Sequence, residues 1–387
     1  MQDRIYLDNA ATTRTDPEVV NAMLPYFTET YAVASSQFSH TPGIQAKEGL
    51  DHAREIIAGK LNCSPDEIIF TSGGTEANNL AIKGIVHSYP KDKKVHLICS
   101  KVEHNSVLHT FQYLEKQGCS VTYLDVDSEG FVNPDQLRNA IRENTILVSV
   151  QHGNQEVGTI QPILEIGKLC EEKRILFHTD ASLSFTQLDL NMQKLHADLL
   201  TMSSHKIHGP KGVGALFVRK GTKLQKQLHG GYSEFDLRSG TENVAGIVGF
   251  GKAVELAPSN QVDYLRTLQK KLIDRFKQEI EGVILNGPKN LKKRLPSNVN
   301  VSFNLVEGES VVLHLDMKGI SVITGSACFS RSLEPSYVMM AMGFSHERAH
   351  GSIRFTFSRF NTLEEVDRVV ESCKEVVTAL RRISPLK

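Results

Sequence analysis

The sequence lacks an excess of charge of either sign. Among its 387 residues, 44 Lys and Arg balance 44 Asp and Glu. Because a surplus of positive charge drives most non-specific binding to nucleic acid and to acidic membranes, this balance offers no electrostatic argument for either partner. We therefore expect no direct contact with nucleic acid.

Long apolar runs are also absent. No run approaches the roughly 20 residues that a membrane-spanning helix needs. The first residues, MQDRIYLDNAATT, have neither the apolar stretch of a signal peptide nor an Arg-rich pattern. We therefore expect no membrane segment and a cytoplasmic location.

Cysteines are few and scattered. The six are Cys63, Cys99, Cys119, Cys170, Cys328 and Cys373, with no CxxC pair. This spacing is typical neither of a disulfide framework nor of a zinc site, so we predict no metal site. In a reducing compartment most would be free thiols, and any one is by default a small buried apolar residue.

The middle of the chain alternates between β-rich runs and stretches of helical period. The β-rich runs predict strands at 68–72, 96–100, 121–124, 146–151, 175–179, 199–202 and 215–218. Helices are predicted at 76–87, 106–116, 134–141 and 163–173. This alternation predicts an α/β fold with a mainly parallel sheet covered by helices. Since the short segment HKIHGPKGVG leaves no room for a helix, the last strand should run antiparallel.

The pattern changes near residue 255. Helical stretches at 264–279, 309–317 and 363–382 alternate with the strand-like segments NVNVSF and SVITG. We predict a large domain of residues 16–255 and a smaller α+β domain formed by residues 1–15 and 256–387. No internal repeat or low-complexity segment interrupts either part.

Polar residues follow several of the predicted strands, and ligands of open α/β sheets bind at strand carboxyl ends. The turn Thr71-Ser-Gly-Gly-Thr-Glu opens a helix whose free N–H groups suit an anion, although such a turn is more often simple turn chemistry. Asp180 is either a helix cap or the partner of a protonated pyridine nitrogen. His104 is either a polar residue at a helix start or an imidazole that stacks on a planar ring.

Two residues indicate covalent chemistry. Lys206 lies just past an apolar strand among hydroxyls, histidines and glycines, a setting that suits a Schiff base with an aldehyde cofactor. Lys211 is the competing candidate, but its Gly and Pro neighbours indicate a turn. Cys328 lies in the small, polar segment GSACFS, where we expect an exposed thiol that can reach a substrate.

Together these segments resemble the NifS/IscS-type cysteine desulfurases, which belong to the class V aminotransferase group of fold-type I pyridoxal-phosphate enzymes. The resemblance covers essentially the whole chain. It runs through YLDNAATT, IIFTSGGTEANNLAIKG, EHNSVL, NQEVGTIQPI, FHTDAS, SSHKIHGPKGVGALFVRKG, RSGTENVAGIVGFGKA, NVNVSFNLVEGES, GSACFSRSLEPSYV and IRFTFSRFNT. It implies a fold-type I enzyme that forms a homodimer, with a seven-stranded sheet in the large domain and the Cys328 loop on the smaller one.

The resemblance also implies how the cofactor, pyridoxal 5'-phosphate, would be bound. Lys206 would hold it covalently and shuttle protons, Asp180 would pair with the ring nitrogen, His104 would stack on the ring, and Asn154 would hydrogen-bond the ring hydroxyl. The residues implied in phosphate binding are Gly74, Thr75, Ser203 and His205, together with Thr241, which would reach the phosphate of the other subunit.

For the reaction, the resemblance implies that Arg354 clamps the carboxylate of L-cysteine, a geometry that suits Arg. Cys328 would take the sulfur as a persulfide and release L-alanine. The sulfur would go to iron–sulfur assembly or tRNA thiolation. Alternatives are a selenocysteine lyase or another class V enzyme, or, from a different class, a degenerate homologue that acts as a sulfur-transfer binding module.

The chain departs from the family pattern near the implied site. Leu183 stands where the family usually has a Gln that bonds the ring hydroxyl, and Leu cannot form that bond. This leaves Asn154 as the main expected partner. Tyr232 is bulky where a glycine is expected, and the segment AVASS at 32–36 lacks the usual Asn-Pro. We expect an intact cofactor site with an altered turnover or partner.

Overall fold

The structure, a computed structural model, describes residues 4–90, 92–325 and 335–384. Cys328 lies outside the described residues. Within these ranges, no helix is both long and apolar enough to cross a membrane.

The strands are numbered in chain order. They are β1 (Ile5–Tyr6), β2 (Ile68–Thr71), β3 (His96–Ser100), β4 (Ser120–Leu124), β5 (Thr145–Ser149), β6 (Leu176–Asp180), β7 (Leu199–Ser203), β8 (Gly214–Val218), β9 (Val283–Leu285), β10 (Asn298–Phe303), β11 (Ile320–Ser321), β12 (Ile323–Thr324) and β13 (Ser352–Thr356).

The α-helices are numbered in the same way. They are α1 (Pro17–Met23), α2 (Pro25–Thr28), α3 (Thr41–Leu61), α4 (Gly74–His87), α5 (Asn105–Lys116), α6 (Pro134–Ala140), α7 (Ile163–Lys173), α8 (Met192–Leu195), α9 (Val244–Glu255), α10 (Gln261–Glu279), α11 (Gly308–Met317), α12 (Tyr337–Ala341), α13 (His346–His350) and α14 (Leu363–Ile383).

The largest sheet of the described residues has seven strands in the order β2-β8-β7-β6-β5-β3-β4. Strand β8 is antiparallel to β2 and β7, whereas the pairs from β7 to β4 are parallel. The predicted α/β fold with an antiparallel last strand is therefore confirmed. Strand β5 ends at Ser149, before the predicted bound, and the N–H of Gln151 instead donates to the buried carboxyl of Glu103.

The turn from β2 into α4 is tight, and α4 starts at Gly74, two residues before the predicted bound. Gly73 has φ 150, a backbone conformation that favours glycine. Because the chain turns within Ser72-Gly73, the first N–H groups of α4 lie directly at the carboxyl end of the sheet.

Two helices without a predicted counterpart, α3 and α9, pack against each other on one face of this sheet. A Cβ built on Gly251 would lie only 2.7 Å from the Cβ of Ala53. Glycine and alanine therefore allow the close approach of these helices, and the apolar clusters of helix and sheet merge into one core.

A second core forms around a smaller antiparallel sheet in the order β12-β13-β10-β9. Helices α10 and α14 cover it, and its buried side chains include Leu272, Phe276, Val301, Phe355 and Val370. Strand β1 pairs with β11, which brings the N-terminal segment to this core. Domain boundaries at residues 16 and 256 stay a prediction.

Candidate active site

A pocket of about 280 Å³ lies at the carboxyl ends of β6 and β7, beside the N-termini of α4 and α5. It collects residues that are far apart in the sequence. The predicted site residues on its wall are Gly74, Thr75, His104, Asp180, Ser203, His205 and Lys206.

One end of the pocket is suited to an anion. Gly74 begins α4, so its neighbours present helix N–H groups that have no acceptor within the helix. A Cβ built on Gly74 would lie 3.1 Å from Ser182 Oγ and 3.6 Å from Ser203 Cβ, so a larger residue would crowd this wall. The buried Ser203 Oγ has no hydrogen-bond partner among the described residues. An unpaired buried hydroxyl is costly, and a ligand oxygen at this position would satisfy it.

Asp180 ends β6 and is held by two donors. Its carboxylate accepts hydrogen bonds from Asn78 Nδ2 at 2.7 Å and from the Ser182 N–H at 2.9 Å. Asn78 also donates to Ser106 Oγ at 2.8 Å. These bonds fix the direction of the carboxylate, because both donors come from buried or partly buried groups with few alternative conformations.

His104 caps the start of α5. Its Nδ1 accepts the Ser106 N–H at 3.1 Å, which places the ring proton of the neutral imidazole on Nε2. Burial lowers the pKa of His104, the Asp180 carboxylate opposes this, and Lys206 lowers the pKa further. The side chain therefore presents a largely neutral ring to the pocket.

Lys206 follows β7 in a short 3-10 turn, and the N-terminal segment lies against it. Its Nζ donates to the carbonyl oxygens of Ala10 at 2.5 Å and Ala11 at 2.7 Å. The neighbouring His205 Nδ1 lies 3.1 Å from Thr12 Oγ1. A segment from the start of the chain therefore fixes the lysine and the adjacent histidine.

Two predicted cofactor-binding residues are not on the wall of this pocket. Asn154 is buried behind it: its Oδ1 accepts the N–H groups of Glu156 and Val157, and its Nδ2 donates to the Val102 carbonyl. Thr241 lines a different cavity of about 690 Å³, together with Tyr232. The structure therefore brings neither side chain to the pocket within this chain.

Arg354 is also outside the wall, although it lies behind it. It sits in the middle of β13, where Nη1 donates to the Gln155 carbonyl at 2.9 Å and Nη2 to Asp8 Oδ1 at 2.6 Å. Gln155 lines the pocket. Only Gln155 therefore separates the guanidinium from the pocket, and the guanidinium is held by the Gln155 carbonyl and the Asp8 carboxylate.

Residues that the sequence motifs do not single out complete the wall. They are Asn78, Ser106, Gln151, Gly153, Gln155 and Ser182. Gln151 follows β5, so the rule that ligands bind at strand carboxyl ends points to it as well as to Asp180. Leu183 lines the pocket too, so the departure from the family pattern at this position lies in the site itself.

The wall beneath Gln151 contains a buried carboxyl, Glu103. It accepts hydrogen bonds from Ser100 Oγ at 2.6 Å and from the Gln151 N–H. Burial raises the pKa of Glu103 to about 8, and the nearby Asp180 carboxylate adds to the rise. A largely protonated Glu103 limits the negative charge near Asp180 at neutral pH.

Comparisons with known proteins identify the family of this chain. The model of the aminotransferase class-V family matches residues 5–369. A cysteine desulfurase IscS from Clostridium botulinum (strain Hall) is 49% identical over 100% of this chain and 97% of the relative. One from Methanosarcina thermophila is 50% identical over 99% and 94%. The chain belongs to the class-V aminotransferases and, among them, to the IscS-type cysteine desulfurases.

Solved structures of this enzyme family have the same fold. A NifS-like protein aligns with a TM-score of 0.91 at 36% identity, over 97% of this chain and 100% of the other. A structure described as SspA in complex with cysteine aligns with a TM-score of 0.83 at 36% identity, over 92% and 100%. The predicted family, enzyme class and fold-type I architecture are confirmed. Pyridoxal-phosphate use is what this desulfurase family implies.

Proposed function

We propose that the chain is a pyridoxal-phosphate-dependent cysteine desulfurase that converts L-cysteine to L-alanine and passes the sulfur to Cys328. The observation that carries the proposal is the convergence of an amine, a carboxylate and an unpaired hydroxyl in one pocket. These are Lys206, Asp180 and Ser203, from the ends of β7 and β6.

The pocket fits the cofactor that the family implies. The N-terminus of α4 and the unpaired Ser203 Oγ supply donors for a phosphate, with Thr75 and His205 beside them. Lys206 supplies the amine that binds an aldehyde. When bound, pyridoxal phosphate supplies an electron sink for the charge that develops at the substrate α-carbon.

The remaining pocket residues would orient the cofactor ring or transfer protons. The Asp180 carboxylate, fixed by Asn78 and Ser182, would face a ring nitrogen and keep it protonated. The neutral imidazole of His104 would pack against a planar ring. The Lys206 amine would move the proton at the substrate α-carbon, since Lys206 lies in the same pocket as Asp180 and His104.

Gln151 is the amide that we propose in place of the missing Gln at position 183. Its side chain lines the pocket and is held by the Val102 carbonyl, whereas Asn154 lies behind the wall. Replacement of Gln151 by Leu should shift the visible absorption of the bound cofactor. An unchanged spectrum would assign the ring hydroxyl to another donor.

The sulfur step needs only the substrate and one thiol. The Cys328 thiolate attacks the substrate sulfur, the carbon–sulfur bond breaks, and its electron pair stays on carbon, where a proton completes L-alanine. Cysteine and one protein thiol thus give alanine and one persulfide, so no outside oxidant is required. Arg354 would hold the substrate carboxylate during this step.

The proposed function also implies two kinds of protein partner, a second subunit and a sulfur acceptor. We infer a homodimer in which Thr241 reaches the phosphate of the second subunit, since Thr241 is outside this chain's own pocket. Tyr232 and Phe38 expose 87% and 92% of their surface near that region, which suits burial by a second copy. The sulfur acceptor would be an iron–sulfur scaffold or a tRNA-thiolation protein, and the cytoplasmic location stays a prediction.

Mass spectrometry after exposure to cysteine tests the proposal. We expect a mass gain of one sulfur on Cys328, alanine release, and neither in Cys328→Ser. Lys206→Ala should lose both the alanine and the visible absorption band. No alanine above the Lys206→Ala control would contradict the enzyme, and absence of bound cofactor after reconstitution would favour a binding module. Faster turnover of selenocysteine than of cysteine would favour a lyase.

A further inference from the structure

Glu156 is a buried carboxyl that no role above uses. The residue is 3% exposed, and its backbone is fixed from several elements. Its N–H donates to Asn154 Oδ1 at 2.9 Å, and its carbonyl accepts from Asn298 Nδ2 at 3.0 Å and Asn300 Nδ2 at 3.2 Å. The side chain therefore starts from a fixed point between the large sheet and β10.

The carboxyl of Glu156 contacts described residues on both sides of the segment 326–334. A Cβ built on Gly325, the residue before it, would lie 2.0 Å from Glu156 Oε1 and 3.2 Å from Ser336 Cβ. Ser336, just beyond the segment, is 1% exposed, hydrogen-bonds the carboxyl and caps α12 through the Met339 N–H. We call Gly325 and Ser336 the two stems; a methyl group at the first one would displace the Glu156 carboxyl.

The same carboxyl lies in the field of Arg354. Arg354 on β13 is the charged group that acts on Glu156, and Arg354 is in turn paired with Asp8 from the N-terminal segment. Glu156 Oε1 has no hydrogen-bond partner among the described residues. Burial raises the pKa of Glu156 to about 7, against the opposing effects of Ser336 and Arg354. The carboxyl therefore changes charge near neutral pH.

We propose that Glu156 is a positioning residue that contacts both stems within the field of Arg354, and that its ionisation weakens the hold of Arg354 on the substrate carboxylate. When Glu156 is ionised, three carboxylates compete for one guanidinium: those of Asp8, Glu156 and the substrate. When it is protonated, the stems keep the same contact and only two carboxylates compete. The inference rests on the proposed function, in which Arg354 binds the substrate and Cys328 lies between the stems.

The charge part is tested with Glu156→Gln, which keeps the shape and a hydrogen-bond acceptor. The measurement is KM and kcat for cysteine between pH 6 and 8. We expect the wild-type KM to rise by about tenfold relative to that of the variant over this range, the order of one charge interaction near a buried arginine. The values of kcat should run in parallel. Superimposable KM profiles overturn the proposal.

The stem part is tested without turnover, by the rate at which iodoacetamide alkylates Cys328 in protein that has seen no cysteine. We expect Gly325→Ala to change this rate by about tenfold in the wild type and by about twofold in a Glu156→Ala background, where the added methyl no longer collides. Half-buried Cys119 in the same samples is the internal reference.

Equal effects of Gly325→Ala in the two backgrounds overturn the proposal. A wild type that makes no alanine overturns the proposed function instead, so the two failures are distinguishable. Thermal unfolding of each variant separates loss of fold from loss of stem contact.

Discussion

The two sides of the candidate site differ in how their polar groups are paired. On the cofactor wall, defined by Gly74, Asp180, Ser203 and Lys206, the Ser203 hydroxyl has no partner among the residues that the structure describes, and the helix N–H groups face the pocket. Behind this pocket is a second group that we call the arginine wall, formed by Arg354, Asp8 and the Gln155 carbonyl, where the guanidinium already donates to Asp8 and Gln155.

This difference has a physical consequence. The cofactor wall gains hydrogen bonds when an anion binds, because unsatisfied buried donors are costly. The arginine wall must exchange one carboxylate for another, so its net gain on substrate binding is smaller. We therefore expect tight cofactor binding and weaker, adjustable substrate binding from the pairing of each wall.

The largest effect should come from Asp180→Ala on the cofactor wall. Without the fixed carboxylate, the ring nitrogen loses its charge partner, and we expect kcat to fall by about 10³-fold. Steady-state kinetics with cofactor-saturated protein would measure it. Asp198→Ala is the matched control, because this carboxylate accepts the Phe177 N–H at the opposite end of β6 and should affect stability alone. A kcat within tenfold of the wild type would exclude Asp180 as the charge partner.

On the arginine wall, Arg354→Lys should raise KM for cysteine by about 10²-fold, because Lys cannot form a bidentate pair with a carboxylate. The cofactor spectrum should not change, since Arg354 does not line that pocket. Arg359→Lys is the control: Arg359 pairs with Asp16 and should alter unfolding without altering KM. A changed cofactor spectrum with an unchanged KM would show that Arg354 acts on the cofactor and not on the substrate carboxylate.

Ser203→Ala should weaken cofactor binding by about tenfold, the value of one hydrogen bond. The unfolding temperature of the cofactor-free protein should stay the same, because no partner of Oγ is lost. In contrast, Ser149→Ala breaks a 2.8 Å contact with His178 and should lower that temperature while leaving the cofactor dissociation constant alone. Unchanged cofactor affinity in Ser203→Ala would show that the unpaired hydroxyl has no ligand.

The smallest effect is expected for Asp8→Asn. Removal of the competing charge should lower KM for cysteine by about threefold, within the range of a partly exposed ion pair. The measurement is KM at constant pH, with kcat as the internal comparison. If KM rises instead, Asp8 orients Arg354 for the substrate and does not compete with it.

Much of the large sheet follows from local patterns. Apolar β-rich runs predict its seven strands, because six of them are almost wholly buried and only the edge strand β4 is partly exposed. The short segment after Lys206 predicts the antiparallel last strand. Asp180 and Lys206 are predictable as site residues, since Asp180 ends such a strand and Lys206 lies in the short turn after one. Helices α3 and α9 are not, because their faces are defined only by packing against each other and the sheet.

The positions of Asn154, Thr241 and Glu156 needed the tertiary structure. Family motifs include all three, yet one is buried behind the wall, one lies in another cavity and one joins the stems. A motif records which residue types recur, but not which way a side chain points once the loop has closed. For Leu183 the motif was sufficient: the family pattern places this position beside the cofactor ring, and Leu183 lines the pocket.

The sequence by itself predicted the fold class from strand periodicity, and the family and the cofactor wall from motifs and strand-end residues, because all of these are local properties of the chain. Only the tertiary structure decided the arginine wall. Asp8 and Arg354 are 346 residues apart in the sequence and 2.6 Å apart in space. Such a pair follows from the docking of the N-terminal segment beside β13, and long-range packing, not local pattern, fixes that contact.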